Sequence, residues 1–164
     1  MTVTVDVYSI TNPAFVGVVI YKFVDGYTKQ PGNSDGPEFS LLFLPAPVAI
    51  SQRIAATLEG TNVRTGLARW YLKNEVVQLT LPRLIRQTTD LSRKAILFAL
   101  NSGSLILQES GTVICNPAAF AKNPTDQIGT TFAEKTLTVS HRFGQWCGAV
   151  RSARSIYSLL GVRP

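Results

Sequence analysis

The pattern of apolar and polar positions first indicates a helix from Pro13 to about Tyr27 that is apolar on nearly every side. Asn12 can accept hydrogen bonds from the free amides at its start, and Pro13 suits the first turn. A helix without a polar face has to be covered on all sides. We therefore expect this helix at the centre of the core.

Two more apolar segments follow within the first 60 residues. The stretch EFSLLFL (38–44) predicts a short helix that Pro45 and Pro47 should end, because proline has no amide hydrogen to donate. The stretch VAISQRIAATLEG (48–60) has the spacing of an amphipathic helix that closes at its final glycine. Residues 1–60 are thus predicted to be N-terminal apolar helices.

The pattern between residues 64 and 102 predicts three short helices. The first, RTGLARWYLKN (64–74), directs Leu67, Trp70 and Tyr71 toward the core, with Leu72 as a further candidate. Thr80-Leu81-Pro82 marks the start of a second helix, and Thr89 or Asp90 can cap a third over 91–102. Two short helices joined by a turn form a helix-turn-helix pair.

A β-hairpin is predicted directly after that third helix. The segments SLILQ and TVICN can pair across Glu109-Ser110-Gly111, where glycine supplies the left-handed conformation that a three-residue loop needs. A helix followed at once by a small hairpin is typical of winged-helix domains. Residues 64–116 are therefore interpreted as a winged-helix-like unit.

The remainder of the chain predicts C-terminal helices over 126–164. A long helix starts at about Asp126, with apolar residues at helical spacings: Ile128, Phe132, Val139, Phe143, Trp146 and Val150. A last short helix is capped by Ser152 and closed by Gly161. The fold class expected for residues 1–164 is one mainly α domain, with a small β-hairpin, a winged-helix-like core and a long C-terminal helix.

Composition indicates apolar surface available to a partner. Hydrophobic residues make up 45% of the chain and charged residues only 16%, and a chain of this size has limited interior. The longest apolar run, 13–21, is too short to span a membrane, and MTVTVDVYS lacks the features of a signal peptide. We expect a cytoplasmic protein without a membrane partner, and self-association stays open.

Charge is unevenly distributed and raises the question of nucleic acid. Residues 1–60 hold three Lys and Arg against five Asp and Glu, while residues 61–164 hold thirteen against five, which corresponds to net charges of −2 and +8. The basic half could attract nucleic acid or an acidic protein. Candidates for such contact are Arg83, Arg86, Arg93, Lys94, Lys135, Arg142, Arg151, Arg154 and Arg163.

The predicted hairpin argues against a grip on duplex DNA. Phosphate contact needs cations, yet residues 103–116 contain no Lys or Arg, and Glu109 at the tip would repel phosphates. Large apolar residues also surround most of the helix at 91–102, leaving a narrow polar arc with Lys94 and Asn101. We interpret the hairpin as a structural or protein-binding element. A winged-helix DNA-binding regulator remains the alternative.

The residue inventory does not favour an enzyme. His141 is the only histidine, and its neighbour Ser140 points about 100° away on a helix, so the two cannot form a catalytic dyad. Cys115 and Cys147 are interpreted as small buried apolar residues. A phosphate-binding glycine loop and paired carboxylates are missing from the sequence. We expect no catalytic residues, no cofactor and no metal site.

Three stretches together resemble a known family. TNPAFVGVVIYKFVDGY (11–27), the pair TGLARWYLKN and LSRKAILFALNSGSLIL, and the ending SIYSLLGVRP are similar to the middle component of bacterial three-component systems built around an ABC-type ATPase. The resemblance covers nearly the whole chain, and Leu-Leu-Gly-Val-Arg-Pro is its most specific part.

The resemblance implies a small non-catalytic subunit. Its partners would be an ABC-type ATPase, related to chromosome-organising and DNA-repair ATPases, and a third effector component encoded nearby. Such systems are thought to act in defence against phage or foreign DNA. Non-specific DNA contact through the complex stays open. The candidate partner-binding residues are Phe15, Tyr21, Phe23, Tyr157, Leu160, Val162 and Arg163, for which ordinary core packing is the competing interpretation.

Overall fold

The computed structural model describes residues 11–119 and 131–163. In chain order, its α-helices are α1 (Pro13–Thr28), α2 (Pro45–Ile50), α3 (Gln52–Ala55), α4 (Leu67–Lys73), α5 (Glu75–Asn101), α6 (Thr131–Val150) and α7 (Ala153–Leu159). Short 3-10 helices cover Phe39–Phe43, Ala56–Leu58 and Pro117–Ala119. Strands β1 (Leu105–Leu107) and β2 (Val113–Cys115) pair antiparallel. The mainly α fold with a small hairpin is confirmed.

Helix α1 lies at the centre of the core, as its all-apolar pattern predicts. Asn12 Oδ1 accepts a hydrogen bond from Ala14 N at 2.9 Å, and Pro13 occupies the first turn. Helices α5 and α6 both pack against α1. Val16 and Phe23, for example, are 0% exposed. This burial of apolar surface is the main driving force for placing α1 inside.

Glycines set the close approach of α1 and α6. A side chain at Gly26 would overlap the carbonyl of His141, and one at Gly144 would overlap the carbonyl of Phe23. The Ser140 hydroxyl is buried in the same contact and donates to the Val19 carbonyl oxygen at 2.6 Å. The two backbones therefore approach closer than any β-carbon would permit.

Aromatic rings fill the space beside this contact. The Trp70 ring lies 5.9 Å from Phe143 and 5.6 Å from Trp146, centroid to centroid. Both indoles also find hydrogen-bond acceptors, since Trp70 donates to Thr57 Oγ1 at 2.8 Å and Trp146 to the Asn62 carbonyl at 3.1 Å. Helix α4 is thereby fixed to α6. Leu72 on α4, the further core candidate, is instead 73% exposed.

The predicted role of Pro45 and Pro47 was wrong in part. The 3-10 helix Phe39–Phe43 does end just before Pro45, but Pro45 then begins α2, with Pro47 inside it, because proline needs no amide partner in a first turn. The single helix predicted over 48–60 is also broken. Ser51 is extended and caps α3 through its hydroxyl, which accepts from Ile54 N at 3.4 Å, and a 3-10 turn then leads to Glu59.

The predicted helix-turn-helix pair was likewise wrong. Helix α5 runs unbroken through Pro82 for 27 residues. Thr89 caps nothing, because its hydroxyl donates to the Ile85 carbonyl within the helix at 2.7 Å. Asp90 instead pairs with Lys94, one turn further along the same helix, at 3.2 Å. Of the features that suggested a winged helix, only the hairpin after α5 is therefore present.

The hairpin forms in the predicted register and is tied to the body of the protein. Leu105 pairs with Cys115 and Leu107 with Val113, and Gly111 adopts φ 83° in the loop. Val113 N donates to the Pro37 carbonyl at 2.9 Å, and Phe39 N donates to that of Gly111 at 3.0 Å. The segment before the first 3-10 helix therefore holds the hairpin in place.

The C-terminal helices agree with the pattern over the part that the structure describes. Phe143 and Trp146 of α6 are buried, while Asp126 and Ile128 lie outside the described residues. Ser152 caps α7, its hydroxyl accepting from Ser155 N at 3.3 Å. Gly161 follows with φ 64°. The division into 1–60, 64–116 and 126–164 stays a prediction.

No single helix within residues 11–119 and 131–163 is long and apolar enough to cross a bilayer, although the bent pair Phe39–Ile50 and Gln52–Leu58, at 85°, has sufficient length and apolar composition. The apolar side chains of that pair, such as Leu41 and Ile54, are buried in the core.

We predict that Gly144→Ala destabilises the protein by about 3 kcal/mol, since the added methyl would push α6 away from the Phe23 backbone. Urea unfolding followed by circular dichroism measures the change. Gly17→Ala on α1 is the matched control, because its methyl meets the Ala95 carbonyl oxygen at 3.4 Å, an ordinary contact. It should be neutral or stabilise by roughly 0.5–1 kcal/mol. Equal effects would contradict the close-approach interpretation.

Candidate partner-binding surface

Most of the predicted partner-binding side chains lie inside the protein. The buried ones are Phe15, Tyr21, Phe23, Tyr157 and Leu160. Val162 is half-buried and Arg163 is exposed. Tyr157 also donates its hydroxyl to the Ser40 carbonyl at 2.5 Å. The competing interpretation, core packing, describes the five buried residues in this conformation.

The predicted basic residues do not share one environment. Arg142 turns inward and donates to the Thr61 carbonyl at 2.6 Å. Arg151, in the left-handed conformation with φ 70°, donates to the Pro31 carbonyl at 2.5 Å. Lys135 and Arg154 are exposed on α6 and α7. Two of these residues thus bind nearby backbone carbonyls and two face solvent. They do not form one basic surface.

Four further predicted cations lie together on one exposed face of α5, namely Arg83, Arg86, Arg93 and Lys94. We call this face the outer face of α5, and its residues are Leu79, Arg83, Arg86, Asp90, Arg93, Lys94 and Leu97, all exposed. Leu79 is 73% and Leu97 53% exposed. The opposite face of the helix is buried at both ends, for example through Leu81 and Ile96. The helix thus presents a cationic strip with an uncovered leucine at each end.

Uncovered apolar residues also flank the turn between α5 and the hairpin. These turn-flanking apolar residues are Leu97 and Phe98 before the turn and Ile106 and Leu107 after it, between 43% and 53% exposed. The prediction that the helix at 91–102 is covered on most sides was therefore wrong for Leu97 and Phe98. Several large apolar side chains exposed within a short stretch of the chain favour contact with another protein.

The side-chain pair that most resembles part of a catalytic site is His141 and Asp25, and it joins α1 and α6. His141 Nε2 lies 3.2 Å from Asp25 Oδ2, beside a shallow pocket of about 510 Å³ that Lys22, Glu134 and Arg142 also line. The hydrogen bond from His141 lowers the pKa of Asp25, burial opposes that change, and the charge of Lys29 adds a smaller lowering. The arrangement stabilises the carboxylate form and links two helices.

The serine beside His141 and the two cysteines are not available to this pair. The hydroxyl of Ser140, next in sequence to His141, donates its hydrogen bond to the Val19 carbonyl. Cys147 is 0% exposed and Cys115 is half-buried. Within residues 11–119 and 131–163, no group of three His, Cys, Asp or Glu side chains is placed to hold a metal ion.

Comparison with protein families identifies the chain. The model of the family described as ABC-three component (ABC-3C) system Middle Component 3 matches residues 2–164. The chain belongs to this family. The resemblance noted in the sequence is thereby confirmed, and the middle component is one part of a multi-component ABC system. Searches of curated proteins and of solved structures found no match.

The sequence pattern did not reveal the exposed surface of the middle component. The α5 outer face was missed because Pro82 and Thr89 suggested separate helices. Its signal was present nonetheless, since Leu79, Arg83 and Arg86 continue a spacing of three and four residues across the proline. Asp25 was missed because its partner His141 is more than 100 residues away in sequence.

We predict that Asp25→Asn lowers the free energy of unfolding by about 1 kcal/mol above roughly pH 5, where the wild-type carboxylate is ionised and bonded to His141. Because the folded pKa is below the usual 3.8, this stabilisation is lost as pH falls through the folded value. Urea titrations between pH 3 and 7 measure the difference. Asp35→Asn, at an exposed loop position, controls for loss of one charge, and a wild-type advantage that stays undiminished from pH 7 down to pH 3 would contradict the assignment.

We predict that neither thiol reacts readily in the native middle component. Burial raises the pKa of Cys115 to about 12 and that of Cys147 still further above its usual range, and the thiolate is the reactive form. Titration with Ellman's reagent at pH 8 should show slow labelling that becomes rapid in 6 M guanidinium. Rapid labelling of Cys115 in the folded protein would revive a nucleophilic role.

Proposed function

We propose that this middle component is a non-catalytic subunit that connects the ABC-type ATPase of its system to the third, effector component, in defence against phage or foreign DNA. The single observation that carries the proposal is the group of uncovered apolar residues flanking the turn after α5. Four such side chains, each at least 43% exposed, favour coverage by another protein. Family membership supports the existence of partner components.

We propose a non-catalytic role because the reactive side chains are bonded to other groups within the protein. The Ser140 hydroxyl donates to the Val19 carbonyl instead of facing His141, and His141 is engaged with Asp25. Cys147 is fully buried. Covalent nucleophilic catalysis uses a nucleophile and a general base within hydrogen-bond reach of each other. In the described chain these groups hold helices together.

Protein contact is favoured over duplex DNA at the hairpin. The hairpin is anchored through Pro37 and Phe39, so it is not free to enter a groove as a separate wing. Its exposed strand residues are Ile106 and Leu107, and its loop carries Glu109. Phosphate oxygens have no favourable contact to make with these groups.

We expect pairwise co-purification to show that the middle component binds the ATPase and the effector separately, and that those two associate only when it is present. Ile106→Asp together with Leu107→Asp should weaken binding to at least one of them roughly tenfold, because charges would replace buried apolar contacts. Affinities are measured by biolayer interferometry with the full-length proteins.

Val63→Asp is the matched control, since Val63 is 44% exposed in the loop before α4, away from the hairpin. It should leave both affinities unchanged. A wild-type middle component that binds neither protein, or that binds duplex DNA tightly and sequence-selectively instead, would overturn the proposed function.

A further inference from the structure

The outer face of α5 has the spacing of a helix–helix seam. Its residues 79, 83, 86, 90, 93 and 97 recur at intervals of four, three, four, three and four. This alternation places one residue per turn along a single line and is the repeat by which two helices pack side by side. Every residue on the line is exposed. The chain itself therefore leaves this seam without a covering helix.

The middle of α5 is the least covered part of the helix. From Pro82 to Leu91 no side chain is buried, whereas Leu81 before it and Ser92 after it are 0% exposed. A helix turn containing proline lacks one backbone hydrogen bond. A continuous helix whose centre is little covered and lacks one backbone hydrogen bond would gain stability from an external neighbour.

The seam is cationic, and two of its cations are uncommitted. Asp90 pairs with Arg93 at 3.7 Å and with Lys94 at 3.2 Å, on an exposed surface. Among the described residues, Arg83 and Arg86 have no ion pair. An opposing surface must supply carboxylates near these two arginines to match the seam.

We propose that the outer face of α5 docks an acidic amphipathic helix of another subunit, with carboxylates opposite Arg83 and Arg86 and apolar residues opposite Leu79 and Leu97. The inference rests on the proposed connecting function and names the surface and the chemistry of its partner. The two leucines lie about 27 Å apart along the helix axis, so the docked helix spans about five turns.

Two other occupants fit the same surface less well. A second copy of the chain would bring together two faces that each carry four cations and one carboxylate, which is repulsive on balance. A nucleic acid would neutralise the arginines but would leave Leu79 and Leu97 uncovered and would place phosphates beside Asp90. Of these three occupants, the acidic helix with apolar ends is the one that matches both the charged centre and the apolar ends.

The test uses the complex assembled from the co-expressed full-length components of the system. Arg83→Glu with Arg86→Glu is compared with Arg53→Glu and Arg64→Glu, which make the same charge change at exposed positions off the seam. The seam variant should bind the subunit that supplies the acidic helix roughly tenfold or more weakly than the wild type does. The control variant should lose less than about twofold in affinity. Leu79→Asp should also weaken binding, and Leu72→Asp, equally exposed at 73% on α4, should not.

The outcomes separate this inference from the proposed function. If the wild-type complex forms and the seam variants bind with wild-type affinity, the docking surface is wrong while the connecting function stands. If the wild-type complex does not form, both fail. If the seam arginines affect only duplex DNA binding, measured by fluorescence anisotropy, nucleic acid is the occupant. Unchanged thermal unfolding of each variant shows that the fold is retained, and Arg83→Gln with Arg86→Gln replaces any variant that unfolds.

Discussion

The close approach of α1 and α6 is the constraint on which the rest of the structure depends. Gly26 and Gly144 let each backbone contact the other directly, and the Ser140 hydroxyl satisfies the buried Val19 carbonyl between them. With these helices so close, the rings of Phe23 and Phe143 meet at 5.7 Å. The indoles of α4 and α6 then pack alongside. A wider separation would leave cavities that these side chains cannot fill.

Helix α5 packs against α1 from a second side and gives the molecule its asymmetry. Its inner face supplies buried residues such as Leu81 and Ala95, while its outer face carries arginines and two exposed leucines. Because one continuous helix holds both ends of this face in a single line, the backbone positions of the charged residues are fixed relative to one another. Rigid, preorganised surfaces lose less conformational entropy when a partner binds. This property suits a subunit whose proposed role is to connect other proteins.

The polar groups that could have served chemistry are used for architecture. Asp25 and His141 join the two central helices, and the amide of Asn33 donates to the Gly148 carbonyl at 2.6 Å. Such links orient the loop after α1 and the C-terminal end of α6. They explain why a chain with a histidine–carboxylate pair is consistent with the proposed non-catalytic role.

The sequence by itself determined the helical class, the central buried helix, the hairpin with its Gly111 turn and the family. These depend on local periodicity, on glycine conformation and on motifs within short stretches. Only the tertiary structure decided that Pro82 lies inside one helix and that Tyr21, Phe23 and Leu160 are core residues. It also placed Leu97 and Phe98 at the surface. The reason is that local signals compete with packing: burial at both ends of α5 outweighs one lost hydrogen bond at the proline, and whether an apolar side chain faces a partner or its own core depends on residues far away in sequence.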